Sequence, residues 1–416
     1  MMRVLILGSG GREHALAWKI AASPLLQKLY ISPGNPGTAE HGENIAGDIL
    51  DPEAVLKLVQ TLGIDLVVIG PEACLAAGVT DAVRAGAPGC RVLGPHRAGA
   101  RLEWSKAYAK DFMNKYGIPT AGHLVFSDRA AAADYLADCP LPVVVKVDGL
   151  AAGKGVVVAG TRTEALAARS IPPLEQPMVV EEFLSGREVS VLALTDGRRY
   201  HLLPPVRDYK ALEDGDRGPN TGGMGAYSPV PWIGQDELAA IDSIAAKTLR
   251  GLLWEGLDYR GIIYLGLMIT GEGVKLLEYN ARFGDPECQV LMSQLESDLL
   301  LYLSQAANGM LPEDPPEWST DSACLVVACG GDYPHLPSFG LPITGIEQAR
   351  AAGCLVFQAG TALSDEQLVT GGGRVLNVLG RGAGMECARQ RAYQGLAAIS
   401  FPSMRFRTDI GEGVVL

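Results

Sequence analysis

The sequence lacks several features that define whole classes of protein. No apolar segment approaches the ~18 residues of a membrane-spanning helix, and the first apolar run is too short for a signal peptide. The eight cysteines include no C-x-x-C pair, so we expect neither a zinc site nor a disulfide framework, but reduced thiols in the cytoplasm. Lysine and arginine number 35 against 47 acidic residues, a net charge of −12, so we expect no nucleic-acid or membrane partner.

The composition is typical of a folded, soluble chain with more than one domain. Apolar residues make up 48% of the 416 positions and charged residues 20%, which are values found in globular proteins. At ~100–200 residues per domain, the length predicts two to four domains, each with its own core.

The first hundred residues alternate between apolar runs and segments of helical periodicity. The runs predict strands at 3–7, 28–32, 65–69 and 91–93, and the periodic segments predict helices that include 13–22 and 52–62. Strands of continuous Val, Ile and Leu between helices are typical of a parallel sheet covered on both faces. The fold predicted here is α/β and doubly wound, with a ligand crevice at the carboxyl ends of the strands.

A different pattern begins near residue 105. Apolar runs predict pairs of strands at 143–147 with 156–159, 186–194 with 199–203, and 261–269 with 275–280. The stretch 204–231 is rich in glycine and proline, and we expect an irregular site loop there. The run PEDPPE at 312–317 marks a domain boundary, beyond which we expect more strands and a final helix at 383–398.

The turn GSGGRE at 8–13 shares only two glycines with a dinucleotide fingerprint. Its sixth position is Glu13 instead of glycine, and no acidic residue follows the second strand, so nicotinamide binding is disfavoured. Backbone N–H groups at the start of a helix still suit a phosphate or another anion. A tight turn without a ligand is the alternative, and this motif alone favours it.

The segment VVVKVDGLAAGKGVVVA at 143–159 predicts a phosphate site. Two lysines stand among glycines between apolar strands, in the order Lys146, Asp148, Gly149, Gly153, Lys154 and Gly155. Glycines let the backbone approach phosphate oxygens, and lysines neutralise the charge that builds during phosphoryl transfer. The spacing of a Walker A loop is absent. A surface hairpin with two solvated lysines is the weaker alternative.

A second strand, at 178–182, ends in paired glutamates. The backbone at such a strand end can read an adenine edge, while Glu188, six positions beyond Glu182, can accept ribose hydroxyls. An ordinary strand with an exposed acidic end is the alternative.

The segment KLLEYNARFGDPE at 275–287 is the strongest metal candidate. Glu278 and Asn280 leave the same face of a strand, and a carboxylate with an amide oxygen suits Mg²⁺. Arg282 can hold a developing carboxyl or phosphoryl charge, and Asp285 and Glu287 can bind an ammonium group. The alternative is an exposed strand face that runs into a solvated turn.

The loop GPNTGGMGAYSP at 218–229 combines four glycines with almost no charge. Many free N–H donors would suit the enclosure of a compact polar substrate. A flexible loop without a partner is the alternative.

Taken together, these motifs resemble the ATP-grasp superfamily, and within it the ligases that join glycine to 5-phosphoribosylamine. The similarity runs through nearly the whole chain in order, with GGREHA, PGNPGTA, GPEACLAAG, SKAYAKDFM, VVVKVDGLAAGKGVVVA, VVEEFLSGREVS, GPNTGGMGAYSP, LLEYNARFGDPE and GGRVLNV. The lysine loop and EYN are shared by many ATP-grasp ligases. GGREHA and the pair GPNTGGMGAYSP with NARFGDPE are specific to the glycine-dependent ligases.

The resemblance implies an α/β amino-terminal domain at 1–104, an ATP-grasp core at 105–119 and 186–314, a mobile lid at 120–185 and a small α+β carboxy-terminal domain at 315–416. It implies a carbon–nitrogen ligase of purine biosynthesis that uses ATP with Mg²⁺ or Mn²⁺. The glycine carboxylate would attack the γ-phosphate, and the sugar amine would capture the acyl phosphate. The implied partners are small-molecule substrates, and we expect a monomer.

The resemblance also implies roles for residues at matching positions. Contacts with ATP are implied for Lys106, Lys146, Gly149, Gly153, Lys154, Gly155, Glu181, Glu182, Phe183, Leu184 and Glu188. Contacts with glycine, its acyl phosphate or the phosphoribosyl group are implied for Gly10, Gly11, Arg12, Asn35, Glu72, Asp208, Lys210, Asn220, Thr221, Gly222, Gly223, Met224, Arg282 and Asp285. Lys146, Lys154 and Arg282 would act in catalysis, and Glu278 and Asn280 would hold the metal.

Three other functions are left open. An ATP-grasp carboxylase would use bicarbonate instead of glycine, and the loop at 218–229 counts against it. A nucleotide-binding regulator would have lost turnover, against which the intact lysine, EYN and arginine positions count. An oxidoreductase would bind a nicotinamide, which Glu13 disfavours.

Overall fold

The computed structural model describes residues 1–150, 155–171 and 175–415. Its amino-terminal part confirms the predicted doubly wound α/β fold, because helices alternate with five parallel strands in the order β3-β2-β1-β4-β5. The elements are β1 Met2–Gly8, α1 Gly11–Ala21, β2 Leu26–Pro33, β3 Glu43–Asn44, α2 Pro52–Leu62, β4 Leu66–Ile69, α3 Glu72–Ala77, α4 Val79–Gly86, β5 Arg91–Leu93 and α5 Arg97–Trp104, with a 3₁₀ turn at Thr38–Glu40.

Local chemistry explains where the first helices begin and end. Helix α2 starts at Pro52, where the Asp51 carboxylate accepts a backbone N–H of the first turn, and it ends at Gly63 in the left-handed conformation. Helix α1 begins two residues earlier than predicted, because the Glu13 carboxylate turns back to accept the Gly10 N–H at 2.6 Å.

The next part is a small antiparallel sheet in the order β6-β9-β7-β8, with two helices packed against it. Strands β7 and β8 pair from Val143 opposite Ala159 to Lys146 opposite Val156, which confirms the predicted hairpin. Residues 151–154, between β7 and β8 in the sequence, lie outside the described part of the chain. The elements are α6 Lys106–Lys115, β6 His123–Phe126, α7 Arg129–Leu136, β7 Val143–Val147, β8 Val156–Ala159, α8 Arg162–Ala168 and β9 Met178–Glu182.

A second antiparallel sheet, in the order β11-β10-β16-β17, faces the first one. The predicted pairs 186–194 with 199–203 and 261–269 with 275–280 are confirmed as β10 with β11 and β16 with β17. The elements of this region are β10 Arg187–Thr195, β11 Tyr200–Leu202, β12 Arg207–Asp208, β13 Ala211–Glu213, β14 Arg217–Asn220, β15 Gly225–Ser228, α9 Gln235–Trp254, β16 Gly261–Thr270, β17 Gly273–Asn280, α10 Glu287–Gln294 and α11 Leu299–Ala307.

The expectation of an irregular loop at 204–231 is wrong. Four short strands, β12 to β15, lie within it. Strand β15 is fully buried and pairs with a strand almost 100 residues further on, with Ala226 opposite Leu325. This pairing supplies the hydrogen bonds that the glycine-rich composition could not indicate locally.

The carboxy-terminal part contributes the remaining strands and helices. Strands β18, β20 and β23 join β12 and β15 in one sheet, and β19, β21 and β22 form a smaller one. Helix α13 packs on β18 and β23, close to the predicted 383–398. The elements are β18 Ser322–Cys329, β19 Ser338–Pro342, α12 Ile346–Ala351, β20 Leu355–Gln358, β21 Thr361–Ser364, β22 Gln367–Gly372, β23 Arg374–Gly382 and α13 Met385–Ala398. Among the described residues, no helix has both the length and the hydropathy needed to cross a membrane.

Candidate active site

A cavity of about 780 Å³ lies between the two antiparallel sheets and reaches both terminal parts of the chain. Most residues predicted for the site line it, although they come from segments far apart in sequence. These are Arg12, Glu72, Lys106, Lys146, Gly149, Gly155, Glu181, Glu182, Phe183, Leu184, Glu188, Asp208, Lys210, Asn220, Thr221, Gly222, Glu278, Asn280, Arg282 and Asp285.

Seven predicted site residues are not part of the described lining. Gly153 and Lys154 lie outside the described residues. Gly10, Gly11 and Gly223 lie behind the lining, and Met224 is buried in a separate apolar cluster. Asn35 is buried too, and its amide is used within the protein, since Nδ2 donates to the carbonyl oxygens of Ser9 and Gln358 at 2.8 and 2.9 Å. The geometry therefore places Asn35 in a loop-shaping role, away from the cavity.

Lys106, the first residue of α6, lines the cavity beside the glycine segment that follows β7. Lys106 Nζ donates to the carbonyl oxygen of Gly149 at 2.8 Å, in the glycine loop. The Asp148 carboxylate accepts the Lys106 N–H and, at 3.1 Å, the hydroxyl of Ser105. Burial lowers the pKa of Lys106, against the opposing charges of Glu278 and Asp148. Asp148 thus ties the segment after β7 to the start of α6, which carries Lys106.

Glu181 joins two buried lysines in the lining of the cavity. Its carboxylate oxygens lie 3.0 Å from Lys110 Nζ and 3.0 Å from Lys146 Nζ. Burial lowers the pKa of Lys110 to about 8, although Glu181 acts in the opposite direction. Lys110 was not predicted for the site. Its spacing of four residues from Lys106 on one helix is the signal that could have found it.

The wall beside Glu181 is apolar. Leu184, Leu267 and Leu277 line it together with Val144 and Met268. A flat aromatic ring can be buried between such side chains while polar groups at the edge read its hydrogen-bonding atoms. This end of the cavity therefore fits a nucleoside base.

Glu278 and Asn280 present free oxygen atoms to the cavity from the end of β17. Neither side chain forms a hydrogen bond or an ion pair with any described residue. Burial raises the pKa of Glu278, but Lys210, Lys146 and Lys106 outweigh burial and hold it below its usual value. An ionised carboxylate beside an amide oxygen is a donor set that fits a hard divalent cation.

Arg282, which also lines the cavity, forms ion pairs with two carboxylates. Its Nε lies 3.1 Å from Glu72, and its Nη2 lies 3.0 Å from Glu103. Burial lowers the pKa of the guanidinium, but Glu103 and Glu72 outweigh burial and raise it. The sequence prediction included Glu72 as a substrate ligand and missed Glu103, whose position directly before Trp104 carries no motif.

Residues 221–224 of the loop at 218–229, called the glycine turn below, do not offer the free N–H donors expected of that loop. Each backbone N–H of residues 221–224 donates within the protein at 2.8 to 3.0 Å, in order to the Lys210 carbonyl, the Tyr333 hydroxyl, the Thr221 hydroxyl and the Tyr209 carbonyl. Gly223 has φ +114°, and a Cβ there would lie 2.5 Å from Pro286, so only glycine fits. The turn therefore shapes the site through its path and not through its N–H groups.

Asp208 supplies a free acceptor beside this turn. Its Oδ2 lies 3.2 Å from Lys210 Nζ, while its Oδ1 is buried and has no hydrogen-bond partner in the described part of the chain. Burial raises the pKa of Asp208 against the nearby charge of Lys210. Asp285 is half-buried, and although burial raises its pKa, Arg374 and Arg12 outweigh burial and hold that pKa low. These two carboxylates can receive a small cationic group.

The turn that resembles a dinucleotide fingerprint has a different use here. Glu13 accepts the Gly10 N–H, and its carboxylate lies 2.6 Å from Arg12 Nε. Arg12 also donates from Nη1 to the Phe283 carbonyl at 3.1 Å, and its side chain lines the cavity. Glu13 thus occupies the helix start, and the Arg12 guanidinium lies at the cavity.

One cluster of three metal-ligating side chains lies elsewhere in the described residues, at His14, Glu40 and His41. His14 Nδ1 already accepts the Gln358 N–H at 2.8 Å, and Glu40 is held by Arg350 at 2.8 Å. Burial lowers the pKa of His14 to about 3. His14 Nδ1 and the Glu40 carboxylate are therefore engaged with the carboxy-terminal part of the chain.

Two antiparallel sheets that enclose lysines, a glycine hairpin and a free carboxylate–amide pair define an ATP-grasp enzyme. Three family models match along the chain, the Phosphoribosylglycinamide synthetase N domain at 2–103, its ATP-grasp (A) domain at 104–288 and its C domain at 322–413. The chain belongs to the phosphoribosylglycinamide synthetase family.

Individual relatives agree with this assignment. A Phosphoribosylamine–glycine ligase from Mesorhizobium japonicum is 48% identical, with 99% of this chain and 98% of the relative covered. A Trifunctional purine biosynthetic protein adenosine-3 from Gallus gallus is 46% identical over 98% of this chain, which spans 42% of that longer protein. The crystal structure of Phosphoribosylamine–glycine ligase from Thermotoga maritima has a TM-score of 0.87 at 38% identity, with 98% and 99% of the two chains covered.

Proposed function

We propose that the protein joins glycine to 5-phosphoribosylamine with the hydrolysis of ATP to ADP and phosphate, and so makes glycinamide ribonucleotide for purine biosynthesis. The observation that carries this proposal is the single cavity in which lysines, a free carboxylate–amide pair and Arg282 face one another. Membership of the family supports it, and the names of the relatives point to the same reaction.

ATP would lie with its base against the apolar wall and its phosphates toward the glycine hairpin. Lys106 and Lys146 would contact the phosphates, together with Lys154 and the backbone at Gly149, Gly153 and Gly155. Residues 181–184 would read the base, and Glu188 would accept the ribose hydroxyls. Lys110 would hold Glu181 in place, since their charged atoms are 3.0 Å apart.

Glu278 and Asn280 would hold a divalent cation, which we propose to be Mg²⁺ or Mn²⁺. Their oxygen atoms are uncommitted among the described residues, and three lysines keep Glu278 ionised. When bound, such a cation neutralises the charge of the transferring phosphate. A carboxylate and an amide supply too few ligands for octahedral coordination, so phosphate oxygens and water would complete the shell.

Glycine would bind between the glycine turn and the proposed cation ligands, Glu278 and Asn280. The free Oδ1 of Asp208 and the carboxylate of Asp285 suit its ammonium group, and Arg282 suits its carboxylate. Lys210 and residues 220–224 would complete this wall, the last through the path of the turn. A glycine carboxylate oxygen would attack the γ-phosphorus, and the bond to the ADP oxygen would break to give glycyl phosphate.

The sugar amine would then attack the acyl carbon, form the amide bond and release phosphate. Arg12 at the edge of the cavity would bind the phosphoribosyl group, with Gly10 and Gly11 at the helix start and Glu72 nearby. Asn35 would support this site by fixing its loop, since its amide donates to Ser9 and Gln358. An acyl phosphate hydrolyses readily, so enclosure of the cavity by the hairpin would protect it from water.

We also propose that the enzyme acts as a cytoplasmic monomer that meets only small molecules, because every group assigned above comes from one chain.

The test is ADP release by the purified protein with ATP and Mg²⁺, with glycine and fresh 5-phosphoribosylamine added singly and together. The expected result is rapid release only when both are present. Release that depends on bicarbonate instead of glycine would favour a carboxylase, and no release in any mixture would favour a nucleotide-binding regulator.

A further inference from the structure

Arg374, from the first residue of β23, reaches into the cavity and binds two loops. Its Nη1 donates to the carbonyl oxygens of Gly222 and Asp285, both at 2.6 Å. Its Nη2 lies 3.4 Å from the Asp285 carboxylate. The carboxy-terminal part of the chain thus fixes the glycine turn and the segment after β17 with one side chain.

Tyr333, from the same part of the chain, holds the other side of the turn. Its hydroxyl accepts the Gly222 N–H at 3.0 Å. The ring packs directly on Gly373, where a Cβ would lie 2.5 Å from the ring atoms. Arg374 and Tyr333 therefore bind the carbonyl and the N–H of the same glycine.

The turn packs against the two aspartates that are proposed to bind the ammonium group of glycine. A Cβ on Gly223 would lie 2.8 Å from Asp208 Oδ1, so the turn packs closely against the free oxygen of Asp208. Asp285 is the other carboxylate assigned to the ammonium group, and Arg374 binds it through both backbone and side chain. A shift of the turn or of Asp285 by even ~1 Å can cost ~100-fold in rate.

We propose that Arg374 and Tyr333 are positioning residues for glycine, which act by fixing Gly222 and Asp285. This inference rests on the proposed function, since it concerns the glycine site of that reaction. It assigns to the carboxy-terminal part a direct share in the site that its motif GGRVLNV did not indicate.

A purely structural role predicts different behaviour. If Arg374 only joined two parts of the fold, its loss would lower the thermal stability and would weaken the binding of every substrate to the same extent. A positioning role predicts a selective loss of glycine use at unchanged nucleotide binding. It also predicts recovery when free guanidinium refills the space left by the side chain.

The experiment compares Arg374→Ala and Tyr333→Phe with the matched control Arg381→Ala, whose arginine lies on the same strand and pairs with Asp321 and Ser319. We expect kcat/KM for glycine to fall about 30- to 100-fold in Arg374→Ala and about 3- to 10-fold in Tyr333→Phe. Affinity for a non-hydrolysable ATP analogue with Mg²⁺ should stay within about twofold in all three variants. Guanidinium at low millimolar concentration should restore Arg374→Ala several-fold and leave Arg381→Ala unchanged.

Three outcomes would overturn the inference. One is an unchanged kcat/KM for glycine in folded Arg374→Ala; another is an equal loss for glycine and the ATP analogue with no effect of guanidinium. If Arg374→Ala does not fold, Tyr333→Phe decides, and an unchanged kcat/KM for glycine in that variant is the third. ADP release by the unmodified enzyme that needs no glycine would instead refute the proposed function itself.

Discussion

Glu103 Oε1 lies 3.0 Å from Arg282 Nη2, and Glu103 Oε2 accepts the N–H of Ala281 at 2.7 Å. The carboxylate at the end of α5 therefore holds both the Arg282 side chain and the backbone of the segment that follows β17. Burial raises its pKa to about 7, while Arg282 pulls the pKa down. This contact links the amino-terminal part of the chain to the proposed catalytic arginine.

Glu103→Gln should lower kcat by about tenfold or more, because the amide keeps the size of the side chain but loses the charge that orients Arg282. Affinity for ATP should change little, since Arg282 is not assigned to the nucleotide. Steady-state ADP release and binding of an ATP analogue measure the two effects. The control is Glu313→Gln, which breaks an ion pair of the same 3.0 Å length on the exposed surface, to Arg199. Equal kcat in the two variants would contradict the assignment.

Lys110→Met should weaken ATP binding about tenfold with a smaller effect on kcat. The change leaves Glu181 paired with Lys146 alone, and this pull on Lys146 competes with its contact to the nucleotide. Calorimetry with an ATP analogue gives the affinity. Lys115→Met is the matched control, because Lys115 lies on the same helix but is exposed and pairs only with the surface groups around Glu255. An unaltered affinity in Lys110→Met would show that Glu181 needs no second lysine.

Much of the fold could be predicted because its strands are marked by local composition. Strands β5, β7 and β8 have the predicted bounds, since continuous Val, Ile and Leu between turn residues suffice to define them. Strand β15 could not be predicted, because it is stabilised by a partner strand from the carboxy-terminal part of the chain. Composition near a strand carries no information about a partner so distant.

The same distinction between local and distant contacts separates the site residues that could be predicted from those that could not. The glycine–lysine hairpin and the Glu278–Asn280 pair were predicted, because those residue types at short spacing have few other uses. Glu103 and Arg374 were missed, because each acts through a contact with a segment about 90 to 180 residues away. In the sequence, neither residue can be told apart from other isolated charged residues. The N–H groups expected to be free in the glycine turn donate instead to nearby groups of residues 209–221 and to the distant Tyr333 hydroxyl.

Glu278→Gln should reduce turnover at ordinary Mg²⁺ by about 100-fold and shift the Mg²⁺ dependence to higher concentration. The neutral amide keeps the shape of the side chain but removes the charge proposed to attract the cation. Affinity for the sugar phosphate should be nearly unchanged, because its proposed ligand Arg12 lies in the amino-terminal part of the chain. ADP release measured against Mg²⁺ concentration tests this, with Glu272→Gln in the exposed turn of the same hairpin as control. Normal turnover of Glu278→Gln at low Mg²⁺ would remove Glu278 from the metal site.

His14 should make the fold sensitive to acid. Burial lowers its pKa from 6.5 to about 3, so the folded protein resists a proton that the unfolded chain accepts below about pH 6.5. The stabilising contribution is thus present above pH 6.5 and is lost as the pH falls toward 3. Between pH 7 and pH 5 this loss amounts to about 2 kcal/mol at 1.36 kcal/mol per pKa unit.

Urea unfolding at pH 7 and pH 5 measures that loss. The decrease in the free energy of unfolding should be about 2 kcal/mol smaller in His14→Gln than in the unmodified protein, whatever the stability of the variant at pH 7. His335→Gln, which changes an exposed histidine, should keep the full decrease. If His14→Gln lost as much stability as the unmodified protein over this range, protonation of His14 would not be what destabilises the fold in acid. The loss would then have to come from other titrating groups.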